Sequence, residues 1–346
     1  MNAILARNRG KAAFALLPWL FTFGAGTDTR APNGAPADAR HEFEAPQMGT
    51  LARVVVYAPS RAAAEAGARA AFGRIHELDA RLSDYREDSE LAALEREAGG
   101  PPRPVSRDLL FVLVRAQQLA AETGGAFDVT VGPLSRLWRA ARRRNQLPEQ
   151  QDVERARALV GYTSLLLDPD AKRCQLARPG MQLDLGGIAK GYAADEALAV
   201  LKARRLPRAL VVLGGEVAAG SPPPGLDGWT VAVQSLQPQS PLLIRDAAVS
   251  TSGDAEQWLE LDGIRYSHVL DARTGQALTG RRSVTVVAEQ AIDADALATA
   301  LLVLGNERGR LFAETRGTPA FFAYEAPTGM HLASSSRWAE LARASR

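Results

Sequence analysis

Cysteine is almost absent: the chain has one, Cys174, in 346 residues. A single thiol forbids an intrachain disulfide and any multi-cysteine metal site, and Cys174 reads as a structural residue between Arg173 and Gln175 on an expected strand. Histidine is scarce too. The four, His41, His76, His268 and His331, are too scattered for a zinc motif. Neither HExxH nor GxSxG occurs, and there is no Walker A loop or GxGxxG, so no common signature of zinc proteases, serine hydrolases or nucleotide folds is present. A formal charge of +2 calls for no nucleic-acid partner, and the one locally basic run, Arg139-Ala-Ala-Arg-Arg-Arg144, reads as a solvated helix face or loop. No Arg-Arg pair precedes the apolar run Ala12 to Phe23 and no cysteine follows it, so neither a twin-arginine signal nor a lipoprotein anchor is supported.

That run is short for a membrane span. Arg7, Arg9 and Lys11 before it and Gly24-Ala25-Gly26 after it give residues 1–26 the pattern of a Sec-type secretory signal, with an uncleaved N-terminal anchor as the alternative. The implied location is periplasmic or extracytoplasmic. Residues 27–46, rich in Pro, Gly, Ala and Asp, read as a flexible tether. One domain is expected over 47–335, followed by a tail at 336–346.

Within the domain, strands and helices mix without a βα alternation. Ser60 stands before an amphipathic run and predicts a capped helix, and helices are also expected over Ser89–Glu97 and Ser106–Thr123. Alternating or β-branched runs predict strands at Met48–Tyr57, Ala209–Leu213 and Ser283–Ala288, and Asp262-Gly263 predicts a hairpin. The fold class that follows is α+β: a mostly antiparallel mixed sheet with packed helices.

Three stretches carry chemistry. Met181–Leu185 reads as a buried strand, Gly186-Gly187 as a tight turn, and Ile188 onward as a helix whose N-terminus suits an anion, with Asp184 and Lys190 at its mouth. The alternative is an ordinary strand-to-helix corner with surface charges. Asp295 and Thr299 stand at i and i+4 on one helix face and offer hard oxygen ligands suited to Mg²⁺; the alternative is helix capping by Asp293 with Thr299 bonded to its own backbone. Tyr266–Gly275 holds His268, Asp271 and Arg273 at one hairpin end. Strand alternation sets His268 opposite Asp271 unless a bulge intervenes, and a polar turn is the plainer alternative. Thr251-Ser-Gly253 reads as a hydroxyl-rich turn after a strand.

Taken in order, Met48-Gly-Thr50, Leu82-Ser-Asp-Tyr85, Gly125-Ala-Phe-Asp-Val-Thr-Val-Gly-Pro-Leu134, Asp184-Leu-Gly-Gly-Ile-Ala-Lys-Gly-Tyr192, Leu213-Gly-Gly215, Ser250-Thr-Ser-Gly253, Ser267-His-Val-Leu-Asp271 with Arg273-Thr-Gly275, and Asp295-Ala-Leu-Ala-Thr-Ala-Leu301 resemble the ApbE family of FAD:protein FMN transferases. The resemblance implies a T-fold-related domain that takes FAD as substrate and Mg²⁺ as cofactor. FMN would pass to a Thr or Ser of an acceptor protein as AMP leaves. The alternatives are a Mg²⁺-dependent FAD pyrophosphatase and a non-catalytic FAD-binding protein. By the same resemblance Met48, Tyr85, Ala126, Phe127, Asp128, Asp184, Lys190 and Leu270 line the flavin nucleotide. Gly187 (through its carbonyl), Asp295 and Thr299 hold the metal, and His268 and Asp271 are the catalytic candidates. Ala272 replaces the proline usual in the family's Asp-Pro-Arg-Thr-Gly turn, and Val212 and Glu216 stand where asparagines are frequent. The chain has no Asp-Gly-x-Ser/Thr-Gly-Ala-Thr segment of its own, so the acceptor is expected to be another protein.

Overall fold

A computed structural model describes residues 38–345 except 234, 237–238, 254–257 and 327. The expected signal, residues 1–26, lies outside the described residues, as does the tether up to residue 37.

The chain opens with the hairpin β1 (Ala39–Gln47) and β2 (Thr50–Ala58), then α1 (Arg61–Leu82), α2 (Glu90–Arg96), a two-residue strand β3 (Arg103–Pro104) and α3 (Arg107–Glu122). A 3-10 turn at Val129–Val131 leads into α4 (Gly132–Arg144) and α5 (Gln150–Arg157), followed by β4 (Leu165–Asp168) and β5 (Arg173–Leu176). Next come α6 (Ala189–Ala203), β6 (Ala209–Leu213), β7 (Glu216–Ala219), β8 (Trp229–Val231), β9 (Leu242–Ile244) and β10 (Ala247–Gly253). The last part holds β11 (Trp258–Leu261), β12 (Ile264–Asp271), β13 (Gln276–Thr279), β14 (Arg282–Ala288), α7 (Ala291–Leu304), α8 (Asn306–Arg316), β15 (Ala320–Ala326), β16 (Gly329–Ser334) and α9 (Ser336–Ala344).

The central sheet has the order β1-β2-β6-β7-β10-β14-β15-β16, and every pair in it is antiparallel. The period-2 alternation of its strands feeds two cores. On one face Ala52, Val54 and Val56 of β2 and Val284 and Val286 of β14 pack with Ile75, Ala193 and Leu301 of α1, α6 and α7. On the other face Val55, Leu210, Val249 and Val287 meet Trp229 and Ile244 of the β8–β9 hairpin and Trp338 of α9. A third cluster, Leu134, Trp138, Val153, Leu270 and Ala277, joins α4 and α5 to the separate sheet β11-β12-β13.

Ser60, predicted as a cap, accepts Ala63 N–H, and the serines that open the next two expected helices do the same: Ser89 accepts Ala92 N–H and Ser106 accepts Leu109 N–H. Four expectations change. Ala39–Gln47 belongs to no tether but is an edge strand zipped to β2, because its charged residues alternate with Phe43 and Ala45 and form cross-strand pairs such as Arg53 with Glu44. The tail at 336–346 contains α9, fixed by buried Trp338 stacked on Phe321 with ring centroids 5.4 Å apart. Met181–Leu185 joins no sheet; Asp184 N–H donates instead to Val129 carbonyl at 2.8 Å. Thr251–Gly253 is the end of β10, paired with β14, rather than a turn.

Helices α6 and α7 cap each other. Asp195 on α6 accepts the N–H groups of Ala291 (2.8 Å) and Ile292 (2.9 Å) at the start of α7. Asp295 on α7 accepts Gly191 N–H, in the first turn of α6, at 3.0 Å. Neither helix has a side-chain cap of its own. The crossing needs glycine at 191, where a Cβ would lie 2.2 Å from Ala291 carbonyl oxygen. Burial pushes the Asp195 carboxyl up to about 6 despite the two N–H donors that favour its charge. Asp195→Ala leaves two buried N–H groups unpaired and is expected to lower stability by roughly 1–3 kcal/mol, with Asp195→Asn losing less. Urea unfolding of the two variants checks this.

Candidate functional site

The reciprocal caps bring five residues singled out in the sequence to one place. Asp184 Oδ1 accepts Gly186 N–H at 2.8 Å, which shapes the turn into α6. Gly187 lies against α7: a Cβ there would stand 3.0 Å from Thr299 Oγ1. Thr299 Oγ1 is 2.9 Å from Ser252 Oγ at the end of β10. Lys190 Nζ donates to Gly186 carbonyl (3.2 Å) and to Glu216 Oε1 (3.0 Å). Asp295 is 2% exposed, and burial pushes its carboxyl up.

Glu216 belongs to this cluster. It is buried on β7, where desolvation first, and then the charge of Asp295, push its carboxyl up to about 7 against the opposing ammonium of Lys190. Its Oε2 and the Oγ of Ser250, directly opposite it in the β7–β10 register, are buried with no hydrogen-bond partner. Buried oxygens left unpaired next to an acid and a hydroxyl form a donor set that fits a hard cation. Among the described residues no group of three His, Cys, Asp or Glu side chains is arranged to hold a metal. A cation here would therefore draw on a carbonyl and hydroxyls beside its carboxylates, which is the set Gly187, Asp295 and Thr299 provide.

The remaining predicted residues sit on other turns and strands. Met48 and Gly49 make the two-residue β1–β2 turn with φ of 46° and 72°, and Met48 holds a left-handed conformation unusual for its type. This turn meets the Gly214 turn: a Cβ on Gly214 would lie 3.4 Å from Thr50 Oγ1 and 3.5 Å from Glu216 Oε2. Ala126 and Phe127 are buried in the corner after α3. Asp128, expected to face a ligand, has both oxygens engaged within the chain. Oδ1 accepts from Thr130 N–H (2.8 Å) and hydroxyl (2.6 Å), and Oδ2 accepts from Tyr162 N–H (2.9 Å).

His268 sits exposed on β12, which packs against α7. The alternation that sets it opposite Asp271 is broken: the β12–β13 register shifts between Tyr266 and Leu270, so a bulge carries His268. Leu270 is buried against Trp138 and Leu134. Asp271, expected among the catalytic groups, braces the following turn instead. Its Oδ1 accepts Arg273 N–H (3.0 Å) and Nε–H (2.9 Å), its Oδ2 accepts from Nη2 (2.8 Å), and its carbonyl takes Gly275 N–H (2.8 Å). These partners engage both carboxylate oxygens. Ala272 is buried in that turn, which closes without the proline.

Arg139 was missed by the sequence reading, which took its basic run as solvated. Its guanidinium is only 17% exposed, donates to Asp84 and, at 2.8 Å, to Asp184 Oδ2, and lies 4.3 Å from the Tyr85 ring centroid. The available signal was its place beside Trp138 on a helix that buries Leu134, Trp138 and Ala141. A cavity of about 300 Å³ opens elsewhere, between Pro59, Ala63 and Gly67 of the α1 end and Arg204–Leu206, and holds none of these residues.

Burial, and then the neighbouring Asp184, push the Asp84 carboxyl from 3.8 to about 6. The folded chain therefore keeps a proton that the unfolded chain has shed, so this group takes stability away as pH rises from about 4 to about 6. Asp84→Asn is expected to flatten that loss by on the order of 1–2 kcal/mol. Urea midpoints at pH 4.5 and pH 7.5 measure it, and a slope equal to wild type contradicts it.

The model of the ApbE family matches residues 48–322. Curated relatives named FAD:protein FMN transferase include one from Treponema pallidum, 38% identical over 80% of this chain and 82% of the relative. Another, from Vibrio cholerae, is 34% identical over 76% of this chain and 80% of the relative. Among solved structures, a mutant of the flavin transferase ApbE from Vibrio cholerae superposes with a TM-score of 0.81 at 30% identity, over 88% of this chain and 99% of that one. The apo flavinyl transferase ApbE of Pseudomonas stutzeri gives 0.78 at 34% identity, over 88% and 97%. A family match that spans the strands, helices and turns building this oxygen-lined corner places the chain in the ApbE family.

Proposed function

We propose that this FAD:protein FMN transferase works outside the cytoplasm, depends on Mg²⁺, and moves FMN from FAD to a Thr or Ser hydroxyl of an acceptor protein, releasing AMP. The observation that carries the proposal is the convergence of Gly187, Thr299 and Asp295 on buried, partly unpaired oxygens under the N-terminus of α6. The charged, apolar and small-residue pattern of residues 1–26 supports export.

The acceptor oxygen bonds to the FMN phosphorus while the bond from that phosphorus to the bridging oxygen breaks. The bridging oxygen leaves with AMP, and the hydroxyl proton goes to a base. His268, exposed on its bulge, takes that role. Gly187 carbonyl, Asp295 and Thr299 would hold Mg²⁺, with Glu216 beside them; bound there, the ion supplies positive charge against the phosphate oxygens. Lys190 adds further positive potential at the same mouth. Gly186 and Asp184 fix where that helix begins, and Tyr85 offers an aromatic face at the rim, being 73% exposed.

Two outcomes are expected. Thr299→Val, which keeps the shape and removes the hydroxyl, lowers Mg²⁺-dependent FMN transfer by about 100-fold without changing the circular dichroism spectrum. Full activity in that variant removes Thr299 from the metal set. His268→Asn lowers kcat by about 10²–10⁴-fold while FAD affinity stays within a few-fold. The transfer itself is read as an FMN mass gain on a protein bearing Asp-Gly-x-Ser/Thr-Gly-Ala-Thr. Equal AMP release with and without that protein would make the enzyme a hydrolase.

A further inference from the structure

A charge cluster largely withdrawn from water supports an exposed ring. Tyr85 is 73% exposed, yet the groups beneath it are withdrawn from water: the side chains of Arg139, Asp84 and Asp184 are 17%, 8% and 15% exposed. One guanidinium spans the two carboxylates, and its carbon lies 4.3 Å from the Tyr85 ring centroid. The three partners come from different parts of the chain: the segment after α1, the middle of α4, and the turn before α6. Taking three charges out of water is costly and adds little stability on balance. A fold needing only a brace between α4 and its neighbours already has the apolar contacts of Leu134 and Trp138. The cluster does achieve something else. A planar cation held at both ends is a rigid shelf, and a phenol ring resting on it has one face covered and the other open.

We propose that Arg139 is a positioning residue for the flavin end of the substrate. It holds the Tyr85 ring flat so that the open face stacks on the planar ring system of FAD. Its second arm, bonded to Asp184 at 2.8 Å, fixes the plane of the guanidinium beneath that ring. This rests on the flavin substrate proposed above. Arg139 itself touches neither the reacting atoms nor the acceptor, so its effect falls on FAD binding rather than on the chemical step.

The test is a double-mutant cycle with two readouts, flavin-fluorescence titration of FAD and steady-state FMN transfer, on the full chain. Tyr85→Ala and Arg139→Lys are each expected to weaken FAD binding and raise KM by about tenfold, with kcat changed by less than about twofold. The double variant is expected to be no weaker than about twofold beyond either single one, since both remove the same stack. Lysine keeps the charge and one ion pair but has neither the fork nor the flat face, so Arg139→Lys is expected to restore the thermal stability lost in Arg139→Ala without restoring FAD affinity. Recovery of FAD affinity in Arg139→Lys would overturn the proposal, because charge alone would then suffice. So would losses that multiply in the double variant, because Arg139 would then act apart from Tyr85. A chain that binds FAD but transfers no FMN would defeat the proposed function and leave the binding cycle intact as a test of Arg139.

Discussion

The site depends on the pair of carboxylates that cross-cap α6 and α7. Each helix begins without a cap of its own, and each borrows one from the second turn of the other. Buried N–H groups at a helix start must find acceptors. Here the need is met across the crossing at Gly191, so the two helix starts are locked together at backbone contact distance. The lock sets Thr299 against Gly187, one helical turn from Asp295. This corner inherits its precision from core packing rather than from a flexible loop.

Around that lock the charges are divided into engaged and available groups. Asp128 and Asp271 look equally suited to chemistry in the sequence, but both are consumed by hydrogen bonds from the turns they stabilise. Glu216 and Asp295 are buried near one another with one ammonium, Lys190, between the turn and the sheet. Desolvation of both acids, only partly offset by Lys190, leaves a corner in which a multivalent cation gains more than it would at the surface. On the outer wall, Arg139 balances Asp84 and Asp184 in the same way and carries an aromatic ring on its open side.

Much of this was legible in the residues. The Ser60 cap, the apolar periodicity of α1 and α3, the glycine turn before α6 and the i, i+4 spacing of Asp295 and Thr299 are written within single elements, and the structure holds them as read. Elements whose signal is weak were lost. β1 reads as a tether because it is charged and half exposed, yet an edge strand needs little more than alternation and a partner. α9 reads as a tail because one buried residue, Trp338, carries most of its docking. The bulge at His268 was allowed for but not locatable, since a register shift belongs to two strands at once.

By itself the sequence determined what is local: where helices start, which faces are apolar, that Asp184 and Lys190 flank a tight turn, and that Asp295 and Thr299 share one helix face. These follow from hydrogen bonds and side-chain periods that span a few residues. The tertiary structure alone decided which charged groups are free and which are spent. Gly191 and Asp295 are 104 residues apart, and Arg139 lies 55 from Asp84 and 45 from Asp184. The state of a carboxylate depends on burial and on partners brought in from such distances, and neither is encoded in its neighbours along the chain. The glycine turn before α6 was visible as a possible anion seat. That it is also one wall of a buried oxygen cluster was settled by the helix packed across it.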